Sequence, residues 1–175
     1  MATPTPDFYF RRLIPADTPQ LVRYLDGLGP ETRSRFGPHA FDPDTVTALL
    51  TDPSFRAYGA WLRDRHLVGY ALVRFGVLAH DANRLAACGL ELREASDATF
   101  APSVADAWQG KGVGGKLFQF LLADLKATPV RRLILWGGVQ ESNTAAVALY
   151  RKSGFEQIGR FEHNGWNLDM IKTWD

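Results

Sequence analysis

The spacing of apolar and polar positions divides the chain into alternating short strands and amphipathic helices. The run "FYFRRLI" at 8–14 is rich in aromatic and apolar residues and predicts a first strand. Leu21, Leu25 and Leu28 then recur at helical spacing, with Asp17 or Thr18 as cap, Pro19 in the first turn and Gly29 as terminator. Residues 29–41 carry prolines, glycines and arginines and predict a loop. Asp42 followed by Pro43 opens a second helix. Two apolar runs, 55–63 and 67–76, flank "RDRH" and predict an antiparallel strand pair. Residues 77–97 show no clean period and read as loop with a short irregular element.

Residues 98–104 read as a strand in which Pro102 cannot donate to a ladder, which points to an edge or a bulge. A helix follows with Leu117, Phe120, Leu121 and Leu125 on its buried face, then a short apolar strand at 131–137. "SNTAAVALYRKSGF" is a further helix, capped at Ser142 or Asn143 and closed by Gly154. Asn164-Gly165 between two alternating runs predicts a terminal hairpin. Because only part of this order is β-α-β, a mixed sheet is expected.

Composition narrows the class without naming a function. The chain has 175 residues, the length of one ordinary domain, and no repeat or linker interrupts it. Twenty basic against nineteen acidic residues give a formal charge of +1, which offers no nucleic-acid or membrane footprint. Cys88 is the single cysteine, and no leader-like or membrane-length apolar run is present, so a cytoplasmic location is expected. His39, His66, His80 and His163 lack metal-ligand spacing, and no metal is expected.

The chemistry concentrates in "QGKGVGGK", residues 109–116. Gly110, Gly112 and Gly115 match a dinucleotide fingerprint, Gly110 to Lys116 most of a P-loop, and Gln109, Gly112 and Gly114 the Q-x-x-G-x-G of a coenzyme A loop. All three are phosphate sites, because glycines let the backbone approach and a helix N-terminus favours an anion. The P-loop lacks its Ser or Thr, since Leu117 follows Lys116. Both nucleotide readings also want an acidic strand end where the chain has Trp136-Gly137-Gly138.

The coenzyme A pattern has a second element. "VADAWQGKGVGGKLF" followed by "NTAAVALYRKSGF" resembles the GNAT superfamily of acetyl-CoA-dependent N-acetyltransferases, the latter through Asn143, Ala146, Leu149, Tyr150, Gly154 and Phe155. The resemblance implies an α/β fold: a mixed, mostly antiparallel sheet of about seven strands with flanking helices and a splayed fourth and fifth strand. It implies acetyl-CoA as cosubstrate, held between the strands at 98–104 and 131–137. Backbone groups of Val104, Ala105 and Asp106 would meet the pantetheine arm. Backbone N–H groups of Gln109, Gly110, Lys111, Gly112, Val113 and Gly114 would bind the pyrophosphate. Asn143 would contact pantetheine, and Lys111, Lys116, Arg151 and Lys152 are candidates for the ribose phosphate.

Tyr150 is the expected acid, donating to the departing thiolate, and the Val104 N–H the expected oxyanion donor. In many relatives a glutamate serves as base near the position of Thr99, a departure here. Asp97, about 7 Å along the strand on the same face, Glu94 and Glu91 are the substitutes considered. The acceptor is expected to be a small-molecule or peptide amine entering over the 29–41 loop and the C-terminal hairpin, with Arg33, Arg35 and His39 able to meet an anionic group. A monomer or homodimer is expected. The alternative is a catalytically inactive acyl-CoA-binding sensor or regulatory module.

Overall fold

The computed structural model describes residues 6–63 and 65–175; the reading of the first five residues and of Asp64 in the 63–66 turn lies outside these. Strands β1 (Phe8–Arg12), β2 (Phe55–Leu62), β3 (Leu67–Phe75), β4 (Asp97–Val104), β5 (Arg132–Leu135), β6 (Val139–Gln140), β7 (Glu156–Glu162) and β8 (Trp166–Thr173) form one sheet in the order β1-β2-β3-β4-β5-β8-β6, with β7 on β8. β1 pairs antiparallel with β2, and β8 antiparallel with β5, β6 and β7, while β4 and β5 run parallel. The helices are α1 (Thr18–Asp26), α2 (Pro30–Arg35), α3 (Pro43–Thr51), α4 (Ala79–Ala87), α5 (Val113–Leu125) and α6 (Thr144–Lys152).

By compactness the chain divides into two units, residues 1–72 with 102–121 and residues 73–101 with 122–175. In the first, Leu21 and Leu25 of α1, Val46 of α3, Tyr58 and Trp61 of β2, Tyr70 of β3 and Leu117 and Leu121 of α5 are buried. Phe120, expected on the buried face, is half-buried, stacked on Phe10 and edge-on to Tyr58, while Phe118 is buried. The Asp42 side chain accepts from the Thr45 amide at 2.9 Å and caps α3 as expected, a contribution of about 1 kcal/mol. Asp17 does not cap α1. Its carboxylate takes a bidentate pair from Arg11 at 2.7 and 2.8 Å and the Ile14 amide at 2.9 Å.

In the second unit Val77, Leu85 and Ile134 form a core joined by Ala82, Leu90, Leu92, Ile158 and Ile171. Here the structure corrects the reading of 77–97, because α4 occupies its first half. Leu78, Asp81 and Leu85 are buried at helical spacing. A carboxylate in that stripe breaks the apolar pattern by which an amphipathic helix is recognised. Asn164 and Gly165 take φ of 51° and 102° at the β7–β8 turn, as the hairpin requires. The two-residue β6 is the eighth strand, too short to leave a pattern.

Candidate functional site

The glycine stretch is an exposed connection from β4 into α5. Gly110 and Gly112 have φ of 70° and 81°, and a Cβ at either would meet nothing within 4 Å. Their conformation therefore needs glycine for the backbone, while the space beside them is open. The first turn of α5 at Val113 carries N–H groups with no intrahelical acceptor, and Lys116 makes the first return bond, to Gly112 O at 3.2 Å. Strand end, left-handed glycines and helix start together present N–H groups and the positive helix end toward solvent, a set suited to a phosphate. Lys111 Nζ lies 4.9 Å over the Trp108 ring, a positive charge on the loop itself.

Side chains brace this loop. Gln109 Nε2 donates to Val104 O and to Thr32 Oγ1, each at 3.0 Å. The Asp106 carboxylate accepts from the Gly29 amide at 3.0 Å and from Thr32 Oγ1 at 2.6 Å, which caps α2 from a distant segment. This is why 29–41, expected to be loop throughout, contains a helix. A cap supplied from 77 positions away leaves no local signal. Thr32 and Gly29 are thus loop-bracing residues that sequence reasoning did not find.

The hydrogen bonds around β4 explain how its ladder to β5 ends. Gly76 N donates to Asp97 O and Ala105 N to Val68 O, each at 2.9 Å or less, so odd-numbered residues of β4 face β3 in one unbroken register. Even-numbered residues face the other side, where Asp97–Phe100 align with Arg132–Leu135 and Trp136 N reaches Phe100 O at 2.9 Å. The next even residue is Pro102, which has no N–H. No bulge is inserted on the β3 side. The expected irregularity is a missing donor, and beyond it the Val104 N–H points to the side away from β3.

On α6, Asn143 Oδ1 accepts from the Ala146 amide at 3.4 Å, so it is a helix cap whose amide NH2 makes no bond to another described residue. Tyr150 is half-buried, its ring edge-on to Phe100 at 6.5 Å and to Phe155 at 5.4 Å. Its hydroxyl has no hydrogen-bond partner among the described residues. Burial pushes this phenol above its ordinary value. It therefore stays protonated at neutral pH.

The carboxylates considered as bases are engaged otherwise. Asp97 is 2% exposed, takes a bidentate pair from Arg132 at 2.7 and 2.8 Å and accepts the Arg93 amide at 2.7 Å. Glu94 is exposed, and its Oε2 accepts from the Val77 amide at 3.1 Å. Glu91 is exposed and pairs with Arg93. Thr99 donates to Gly76 O at 2.9 Å. These contacts hold the 91–99 segment in place and engage both oxygens of Asp97, while Glu94 is held through Oε2 alone.

Of the residues expected at an acceptor, Arg33 donates to Leu25 O and lies over Phe41, and Arg35 pairs with Glu31. His39 Nδ1 lies 2.7 Å from Ala40 O and Nε2 3.0 Å from the Tyr70 hydroxyl. Burial lowers the histidine's pKa, so it is neutral at pH 7.

A family model described as acetyltransferase (GNAT) family matches residues 21–155. Three solved structures share the fold. The GNAT domain of S. lividans PAT is 17% identical with a TM-score of 0.73, over 94% of this chain and 89% of that one. A GNAT-family acetyltransferase from Streptococcus pneumoniae is 19% identical with a TM-score of 0.70, over 97% and 100%. AAC(6')-Ib in complex with paromomycin and acetyl-CoA is 22% identical with a TM-score of 0.69, over 95% and 93%. No curated protein sequence matches the chain.

Proposed function

The chain belongs to the acetyltransferase (GNAT) family, and we propose that it transfers an acetyl group from acetyl-CoA to a primary amine by direct attack through a tetrahedral intermediate. The observation that carries this reading is the glycine loop: an exposed run of N–H groups, with two left-handed glycines and open space beside them, leading into a helix start. The complex of AAC(6')-Ib with paromomycin and acetyl-CoA supports acetyl-CoA as donor and a small-molecule amine as acceptor. Three elements, β3, β4 and α5, cross the division between the compact units, and we treat residues 1–175 as one acetyltransferase domain.

In this reading N–H groups of Gln109 to Gly114 bind the pyrophosphate, with Lys111 adding charge. Val104 to Asp106 offer backbone groups to the pantetheine arm, as does the Asn143 amide. The Asp106 and Gln109 side chains are already committed to bracing. The Val104 N–H stabilises the oxyanion, and Tyr150 protonates the departing sulfur. Such a donor contributes about 10²–10⁴-fold.

A second reading, an acyl-CoA-binding module without turnover, is favoured by one observation: Asp97, Glu94 and Thr99 are all engaged elsewhere. Calorimetry with acetyl-CoA beside NAD and ATP-magnesium, followed by CoA release with a pooled amine panel, tests both. Micromolar acetyl-CoA binding with CoA release supports the enzyme. Binding without release supports the module, and no acetyl-CoA binding overturns both.

A further inference from the structure

The compact unit that carries Tyr150 also holds a buried charge cluster. Asp81 of α4 and Asp169 of β8 are each 1% exposed, and Arg84 is their shared cation. Asp169 has both oxygens bound by Arg84, at 2.7 and 2.9 Å, and Phe161 of β7 covers the guanidinium at 3.9 Å. Asp81 is less well satisfied. Its Oδ2 accepts from the Gly137 amide at 3.1 Å. Its Oδ1 is buried and makes no hydrogen bond, although Arg84 Nη2 approaches to 2.9 Å. Two carboxylates share one guanidinium, and the buried Oδ1 of Asp81 has an ion-pair contact without an aligned hydrogen bond.

The group beside that oxygen is His80, whose Nε2 lies 3.6 Å away and whose side chain is 69% exposed. An exposed imidazole backed by a buried carboxylate is the arrangement of a proton-accepting dyad. Such contacts are often loose before substrate binds. Its place in the fold is also apt. Gly137 follows Trp136, whose amide makes the last bond to Phe100 O, and Tyr150 packs on that same Phe100. Asp81 is therefore anchored to the segment that leaves the carboxyl end of β5, where the parallel β4–β5 pair ends.

We infer that His80 is the general base of acetyl transfer, with Asp81 as the residue that positions it; this rests on the acetyltransferase reading above. With Nε2–H directed to Asp81, Nδ1 takes a proton from the acceptor ammonium and passes it to solvent. The freed nitrogen attacks the thioester carbonyl, the C–N bond forms and the C–S bond breaks. Tyr150 gives its proton to sulfur, and the second proton shed by nitrogen replaces it through water. Asp81 stabilises the imidazolium that forms, with Arg84 and Asp169 fixing the carboxylate from below.

The test is CoA release against pH, with the amine panel, for the wild type, His80→Ala and Asp81→Asn, each with acetyl-CoA calorimetry. His80→Ala should lose about 100-fold in kcat with acetyl-CoA affinity within twofold, and added imidazole should restore part of the rate. Asp81→Asn should move the acidic limb of the kcat profile. A His80→Ala enzyme with wild-type rate and pH profile overturns the assignment and leaves the acetyltransferase reading intact. A wild type that binds acetyl-CoA and acetylates no amine overturns that reading, and the base falls with it.

Discussion

The amide of Gly29 donates to the Asp106 carboxylate at 3.0 Å, and a Cβ on Gly29 would lie 2.0 Å from the same oxygen. A side chain at Gly29 would push the Asp106 carboxylate away, and with it the bond that braces the start of α2 to the loop before α5. Asp106→Ala removes the acceptor of the Gly29 amide, the Thr32 hydroxyl and, at 3.5 Å, the Gln109 side-chain amide from an exposed position, a stability cost of about 0.5–1.5 kcal/mol per bond. The larger effect should fall on the loop that Gln109 and Asp106 hold. Acetyl-CoA affinity measured by calorimetry should drop several-fold in Asp106→Ala and in Gly29→Ala, while Tm moves by a few degrees.

Tyr150→Phe keeps the ring contacts with Phe100 and Phe155 and deletes only the hydroxyl. Turnover should fall at least tenfold with acetyl-CoA affinity unchanged, as read by CoA release and calorimetry. The pH dependence has a definite sign. Burial holds the phenol above the ordinary value of 10, so the donor form persists as pH rises. Tyr150 should contribute no alkaline limb to kcat below pH 10, and a loss of rate near pH 9 that vanishes in Tyr150→Phe would sink the assignment.

Asp97 distinguishes structure from catalysis. Its carboxylate and the Arg132 guanidinium are a buried bidentate pair, with side chains 1% and 14% exposed. Removing one partner of such a pair costs about 3–5 kcal/mol, because the other charge is left buried. Asp97→Ala should lower stability by that amount in urea unfolding, and folded protein at low temperature should retain wild-type kcat. A stable Asp97→Ala enzyme without turnover would make the carboxylate a base after all.

His39 predicts how stability responds to acid. Burial lowers its pKa in the fold below the ordinary value of 6.5, so the folded chain binds fewer protons there than the unfolded chain. Stability is then whole above pH 6.5 and declines as pH falls from 6.5 through the lower folded value. Tm measured from pH 7.5 to 5 should fall over that window. His39→Gln, which can still bond the Tyr70 hydroxyl but does not titrate, should flatten this part of the curve.

Most elements were legible because their signals are local. Asp42-Pro43 starts α3, Asn164-Gly165 turns β7 into β8, and Gly154 with φ of 88° closes α6, each decided by residues a few positions apart. The same holds for the glycine loop and for the run from Asn143 to Phe155, which carry the family resemblance. Two helices escaped: α2 because its cap is Asp106, and α4 because Asp81 stands in its buried stripe. Pro102 marked the end of a ladder correctly, and the register shows a missing donor in place of the expected bulge.

The chain by itself determined most of the element order, the glycine loop and the family, since all three rest on backbone propensity and short spacings. Tertiary structure alone decided which ionisable groups are free. Asp97 meets Arg132 across 35 positions, Asp106 meets Gly29 across 77, and Asp169 meets Arg84 across 85. A carboxylate's chemistry depends on its burial and on the donors around it, and those are set by which distant segments the sheet brings into register.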